Sequence, residues 1–207
     1  MELFSYFSKN DQEPENILPR DGEVFYFPNF FSLQERELYF KKLLQEIEWQ
    51  QQAIVIFGRR VMQPRLTAWY GESEGSYGYS GLKLKTLPWT KTLREIKARV
   101  ETQCGVSFTH VLLNQYRNEK DSMGWHRDNE KELGLEPVIA SVSLGEEREF
   151  QMRHYHEKSL KRSVKLQDGS LLLMRGRTQE CWEHALPKRS QSLGIRLNLT
   201  FRVIKDS

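Results

Sequence analysis

The sequence predicts an α+β domain, mainly β, in which two helices support an antiparallel β-sandwich or barrel. Three observations carry this expectation. Two segments in the first half repeat apolar residues at helical spacing, short strands separated by turn residues follow one another from Thr109 onward, and no βαβ alternation, repeat or linker divides the chain. At 207 residues, 38% hydrophobic and 12% aromatic, the chain is long and apolar enough for one core and too apolar for disorder. No apolar run approaches the ~18 residues of a membrane span, and Met1–Phe7 lacks the features of a secretory signal. The expectation is an intracellular monomer without a membrane partner, cytoplasmic in a bacterium or nuclear in a eukaryote. Cys104 and Cys181 stand far apart with no metal-ligand spacing, so reduced thiols are expected.

Residues 1–22, polar and carrying Pro14 and Pro19, read as a tail or an extended entry strand. Ser32-Leu33-Gln34-Glu35 is a capping-box pattern, and Phe40, Leu43, Leu44 and Ile47 then recur at helical spacing, which places a helix over 32–48. Ala53–Phe57 and Arg60–Pro64 read as a hairpin with Phe57-Gly58 at its tip. Gly71–Gly81, rich in Gly, Ser and Tyr, reads as loop, and Leu93, Ile96 and Val100 mark a second helix over 89–103. Strands are expected at 109–117, 137–144, 148–154, 163–166, 170–175 and 194–203, punctuated by Gly145 and Asp168-Gly169.

The net charge of +3 is unevenly spread. Residues 11–48 hold nine acids and four bases, a balance of −5, and residues 1–10 are neutral, so the rest carries +8. A basic body is compatible with a polyanionic partner such as nucleic acid.

His126-Arg127-Asp128 is an H-x-D triplet, and His184 follows the expected 170–175 strand. In an extended segment residues i and i+2 point the same way, so His126 and Asp128 can share a metal. Two imidazoles and a carboxylate on one face of an octahedral ion leave three positions open, the donor set of non-heme Fe(II) oxygenases. An isolated H-x-D is also common as a surface or capping feature. Arg196, Asn198, Thr200 and Arg202 alternate with Leu197, Leu199 and Phe201, so one face of the last strand is apolar and the other carries two guanidiniums, an amide and a hydroxyl. That polar face suits a dicarboxylate, or else belongs to an exposed edge strand. Asn114 and Tyr116 repeat the alternation and supply neutral donors.

Taken together, Asn114-x-Tyr116, His126-x-Asp128, the Val138–Leu144 strand with Arg153-His154 after it, His184, and Arg196-x-Asn198-x-Thr200-x-Arg202 resemble the AlkB-type Fe(II)/2-oxoglutarate dioxygenases. The resemblance implies a double-stranded β-helix (jelly roll) with supporting N-terminal helices and a substrate-binding hairpin. It implies a core over 106–207 and a nucleotide-recognition lid with supporting helices over 23–105. It also implies that His126, Asp128 and His184 bind Fe(II), and that Asn114, Tyr116, Arg196, Asn198, Thr200 and Arg202 hold 2-oxoglutarate, with Arg196 or Arg202 on the distal carboxylate and O2 as the second co-substrate. His110, His154 and His156 are expected to be structural or exposed.

The N-terminal half resembles the subgroup that repairs alkylated bases in duplex DNA. There an aromatic finger fills the gap left by a flipped base, and Val55-Ile56-Phe57-Gly58 fits it, followed by Arg59 and by Arg65 after Pro64. Tyr77 and Tyr79 match the loop whose aromatics flank the base, Asn129 and Glu130 stand where residues face it, and Lys188 and Arg189 match a backbone-gripping loop. Two departures weaken the match: that loop has two bases where close relatives have three, and Asn129 stands where an acid is common. The implied function is oxidative demethylation of bases such as 1-methyladenine and 3-methylcytosine, releasing formaldehyde and succinate. RNA or single-stranded DNA as the polymer, a protein substrate, and a non-catalytic nucleic-acid-binding module are the rival readings.

Overall fold

The computed structural model describes residues 14–56, 58–72, 76–79 and 82–205, with the backbone alone at 55, 56, 76–79 and 82–84. In chain order it runs β1 (Glu23–Phe27), α1 (Leu33–Glu46), β2 (Ala53–Ile56), β3 (Arg59–Met62), β4 (Leu66–Gly71), β5 (Ser76–Tyr79), β6 (Leu82–Lys85), β7 (Leu87–Pro88) and α2 (Lys91–Cys104). It continues through β8 (His110–Tyr116), β9 (Met123–His126), β10 (Ile139–Gly145), β11 (Arg148–His154), β12 (Lys161–Leu166), β13 (Ser170–Arg175), α3 (Thr178–Cys181), β14 (Trp182–Leu186) and β15 (Arg196–Arg202). A seven-stranded sheet, β1-β13-β10-β15-β8-β4-β7, faces a four-stranded sheet, β12-β11-β14-β9, and the hairpins β2-β3 and β5-β6 stand apart. This is the expected jelly roll.

Local chemistry explains the helices. In α1 the Ser32 hydroxyl accepts from the Glu35 amide while the Glu35 carboxylate accepts from the Ser32 amide at 2.9 Å, which satisfies two donors the helix cannot pair itself. Thr90 caps α2, and Gly105 ends it at φ 66°, a left-handed position that favours glycine. Leu43, Leu93, Ile96 and Val100 bury themselves against Leu113, Val142, Leu197, Leu199 and Phe201 on the outer face of the large sheet. A second core, with Ile139, Met152, Leu172, Met174 and Trp182, fills part of the space between the sheets. The odd residues of β15 therefore face the helices and the even ones face inward, so all seven are buried.

Three expectations need correction. Gly71–Gly81 is not wholly loop, because β5 pairs with β6 in the register Tyr77↔Leu84 and Tyr79↔Leu82; the strand preference of alternating Tyr and Leu outweighs the Gly- and Ser-rich composition. Residues 14–22 form no entry strand, yet they are tied to the body rather than trailing as a tail. Asn16 Oδ1 accepts from the amides of Leu18 and Val24, Leu18 is buried, and Trp182 Nε1 donates to the Arg20 carbonyl. Finally, residues 23–105 are more than lid and helices, since they contribute β1, β4 and β7 to the large sheet.

Close packing at one β4 residue gives a stability prediction. A Cβ on Gly71 would lie 2.0 Å from Cδ2 of His110. That ring cannot easily yield, being stacked on Trp69 at 5.2 Å and 2.9 Å from the Thr109 hydroxyl. Gly71→Ala should therefore lower stability by roughly 1–3 kcal/mol, read as an earlier urea midpoint.

Candidate metal centre and co-substrate pocket

β9 and β14 are antiparallel neighbours in the small sheet, and His126 is the register partner of His184. Their rings lie 4.2 Å apart, centroid to centroid. Asp128, two residues beyond His126, turns its carboxylate to the same side, with Oδ1 3.7 Å from His126 Nε2. One ligand atom from each of the three residues lies within 4.8 Å of the others. His126 Nδ1 is 2.9 Å from the Gly124 carbonyl, which can only accept, so Nδ1 carries the proton and Nε2 offers its lone pair.

The surroundings set the protonation states a metal needs. Burial, reinforced by the neighbouring imidazole, pushes His184 down to about 3. Burial likewise lowers His126, against the opposing pull of Asp128. For Asp128 burial alone would raise the carboxyl, but the Arg202 guanidinium and both imidazoles override it and hold it at about 2. Arg202 donates to Asp128 Oδ2 at 2.8 Å, and the Asp128 amide donates to Gln179 Oε1 at 3.0 Å. Asp128 Oδ1 and His184 Nδ1 are buried without a hydrogen-bond partner. Neutral imidazoles, an ionised carboxylate and these unpartnered atoms fit a divalent iron with open positions.

Beside the triad a cavity opens between the sheets, lined by Asn114, Tyr116, Arg196, Asn198, Thr200 and Arg202 as well as by all three triad residues. Its polar wall is β15, flanked by β8 and β10, with Asn198 in register with Asn114 on one side and Ser143 on the other. Arg196 Nη2 donates to Ser143 Oγ at 2.8 Å, and its guanidinium lies 5.2 Å from the centre of the Tyr116 ring. Asn198 Nδ2 donates to Ser141 Oγ, and Thr200 Oγ1 donates to Asn198 Oδ1. Met123, Phe150, Leu166 and Leu186 supply apolar walls.

Residues 23–202 match the family described as the 2OG-Fe(II) oxygenase superfamily. The chain belongs to that superfamily. Fe(II), 2-oxoglutarate and O2 are accordingly its cofactor set. Among curated relatives, it is 39% identical over 195 residues to human alpha-ketoglutarate-dependent dioxygenase alkB homolog 3, covering 88% of this chain and 66% of that protein, so it spans just under two thirds of that relative's length. It is also 39% identical over 184 residues to DNA oxidative demethylase ALKBH2 of Mus musculus, covering 84% of this chain and 77% of that protein. The solved structure of OsALKBH1 superposes with a TM-score of 0.61 at 16% identity, over 86% of this chain and 97% of that one, a likeness of fold. The AlkB-type resemblance read from the motifs is thus borne out.

Of the remaining candidate positions, Arg65, Asn129, Glu130, Lys188 and Arg189 are not among the residues lining the cavity. Gly58 and Arg59 are exposed on the β2-β3 hairpin, and Phe57 lies outside the described residues. Tyr77 and Tyr79 stand on β5, where the backbone alone is described. Asn129 and Lys188 are exposed, and Arg189 pairs with Glu149 at 2.6 Å. Glu130 is half-buried with one carboxylate oxygen unpartnered, and burial, with Asp128 nearby, raises its carboxyl. Arg65, expected at the substrate, is instead buried behind the co-substrate face, donating from Nε to Asn114 Oδ1 at 2.9 Å and from Nη1 to the Ser122 carbonyl. His110 and His154 are buried, at Thr109 and at the Glu157 amide, as structural residues.

Sequence reasoning passed over Ser141, Ser143, Arg148 and Gln179. The serines share a face in Ile139–Gly145, a two-residue spacing that marks them once β10 is known to border β15. Gln179 sits on α3, a single turn with no sequence periodicity to reveal it.

Proposed function

We propose that the chain is an oxidative dealkylase of N-alkylated bases such as 1-methyladenine and 3-methylcytosine in DNA, acting on the duplex. The observation that carries the reading is the triad opening onto a cavity whose wall of Asn114, Arg196, Asn198 and Thr200 suits a dicarboxylate, in a chain similar to proteins named DNA oxidative demethylase. Bound Fe(II) supplies activation of O2, coupled to decarboxylation of 2-oxoglutarate to succinate and CO2, so that one oxygen atom enters an N-methyl C–H bond.

The protein's own residues arrange this chemistry. His126, Asp128 and His184 would hold the metal, and Arg202 keeps Asp128 ionised and correctly turned. Because Arg202 is committed to Asp128, Arg196 is the guanidinium for the distal carboxylate, with Asn114, Tyr116, Asn198 and Thr200 supplying hydrogen bonds along the co-substrate. Phe150 and Leu186 help exclude water. Glu130, half-buried near Asp128, accepts from or pairs with a cationic methylated base. The hydroxymethyl group formed on nitrogen then releases formaldehyde and restores the base.

The test presents one N1-methyladenine in matched single- and double-stranded DNA and RNA to the Fe(II)-loaded protein with 2-oxoglutarate and air, scored by mass for loss of CH2. Demethylation of duplex DNA is expected; activity confined to single strands or RNA would overturn the duplex reading. Phe57→Ala should cost about tenfold on duplex and under twofold on single strands, because an apolar wedge offsets unstacking that a single strand does not require. Equal losses would make Phe57 a packing residue.

A further inference from the structure

Two buried arginines meet at one end of the cavity, and only one of them lines it. Arg196 and Arg148 are each 2% exposed. Their guanidinium carbons lie 5.2 and 5.8 Å from the centre of the same ring, Tyr116. Arg148 donates to the carbonyls of Asp121 at 3.0 Å and Pro187 at 2.7 Å, while Arg196 donates to a serine hydroxyl. The Nε of each is buried without a partner. Among the described residues neither has a carboxylate oxygen within 4.0 Å, and the nearby Asp121 carboxylate is taken by Arg117. Two buried like charges without a counter-ion are costly, and an anion bound beside them relieves that cost.

We infer that Arg148 is a positioning residue for the co-substrate's distal carboxylate: it sits behind Tyr116, fixes that ring, and adds a second positive charge to the end of the pocket that Arg196 lines. The consequence is selectivity. The pocket favours a 2-oxo acid with a second carboxylate over one of equal length ending in a methyl group, by more than Arg196 alone would give. The inference rests on reading the cavity as the 2-oxoglutarate pocket.

Calorimetric titration without oxygen, with Mn(II) in place of Fe(II), reads binding free of turnover. The two probes are 2-oxoglutarate and 2-oxovalerate. Arg148→Met should weaken 2-oxoglutarate about tenfold and 2-oxovalerate less than twofold, as expected for one unit charge acting at ~10 Å through a partly buried medium. Arg148→Gln, which keeps a donor for the Pro187 carbonyl, should show the same asymmetry and serves if the methionine variant does not fold. Equal weakening of both acids would reduce Arg148 to a structural clip and overturn the inference, as would unchanged selectivity. If the Mn(II)-loaded wild-type protein binds neither acid, the pocket reading falls and takes the inference with it.

Discussion

His184→Ala should leave a folded protein that forms no succinate above background, a loss of at least ~10³-fold, because the reaction loses the metal that supplies its driving chemistry. The substitution removes a neutral, buried imidazole whose Nδ1 has no partner, so little else depends on it. Asp128→Ala should be equally inactive but also less stable. Asp128 and Arg202 form an ion pair buried to 2% on both sides, for which removal of one partner typically costs 3–5 kcal/mol. Circular dichroism melts and succinate assays on the two variants separate these effects. Robust turnover in either would refute the triad, and equal melting temperatures would refute the structural role given to the Arg202 pair.

Arg196→Met should move stability and binding in opposite directions. Loss of the guanidinium should weaken 2-oxoglutarate by about 30-fold or more, since a desolvated, hydrogen-bonded charge pair is broken. The ligand-free protein should be as stable as the parent or more so, because a buried cation without a carboxylate partner gives way to an apolar side chain of similar length. Binding by calorimetry and unfolding in urea, measured on the same preparation, test both halves. A variant that binds as tightly as the parent would remove Arg196 from the co-substrate site.

The legible parts of this protein were those where spacing alone fixes direction. His126 and Asp128 had to face one way in an extended segment, and the alternation of Arg196, Asn198, Thr200 and Arg202 separated the cavity face of β15 from its helix face before any partner strand was known. Arg148 was illegible for the opposite reason. It stands in Glu146-Glu147-Arg148-Glu149, which reads as a solvated charge run, and only the chain's return through Asn118–Asp121 and Pro187 surrounds its guanidinium with carbonyls. Arg65 was assigned to the substrate by the resemblance alone, whereas this residue just before β4 donates to Asn114. The β5-β6 pairing was hidden by its own glycine and serine.

The position of β15 also bears on how the protein is made. This strand, the last in sequence, lies in the middle of the large sheet, hydrogen-bonded to β10 on one side and β8 on the other. A chain emerging from the ribosome without it holds two separate half-sheets, β1-β13-β10 and β8-β4-β7, each with an unpaired edge where the central strand belongs. Such edges invite pairing with other chains until β15 closes them. The even-numbered face of that strand carries most of the co-substrate wall, so the pocket is incomplete until β15 is seated between β10 and β8.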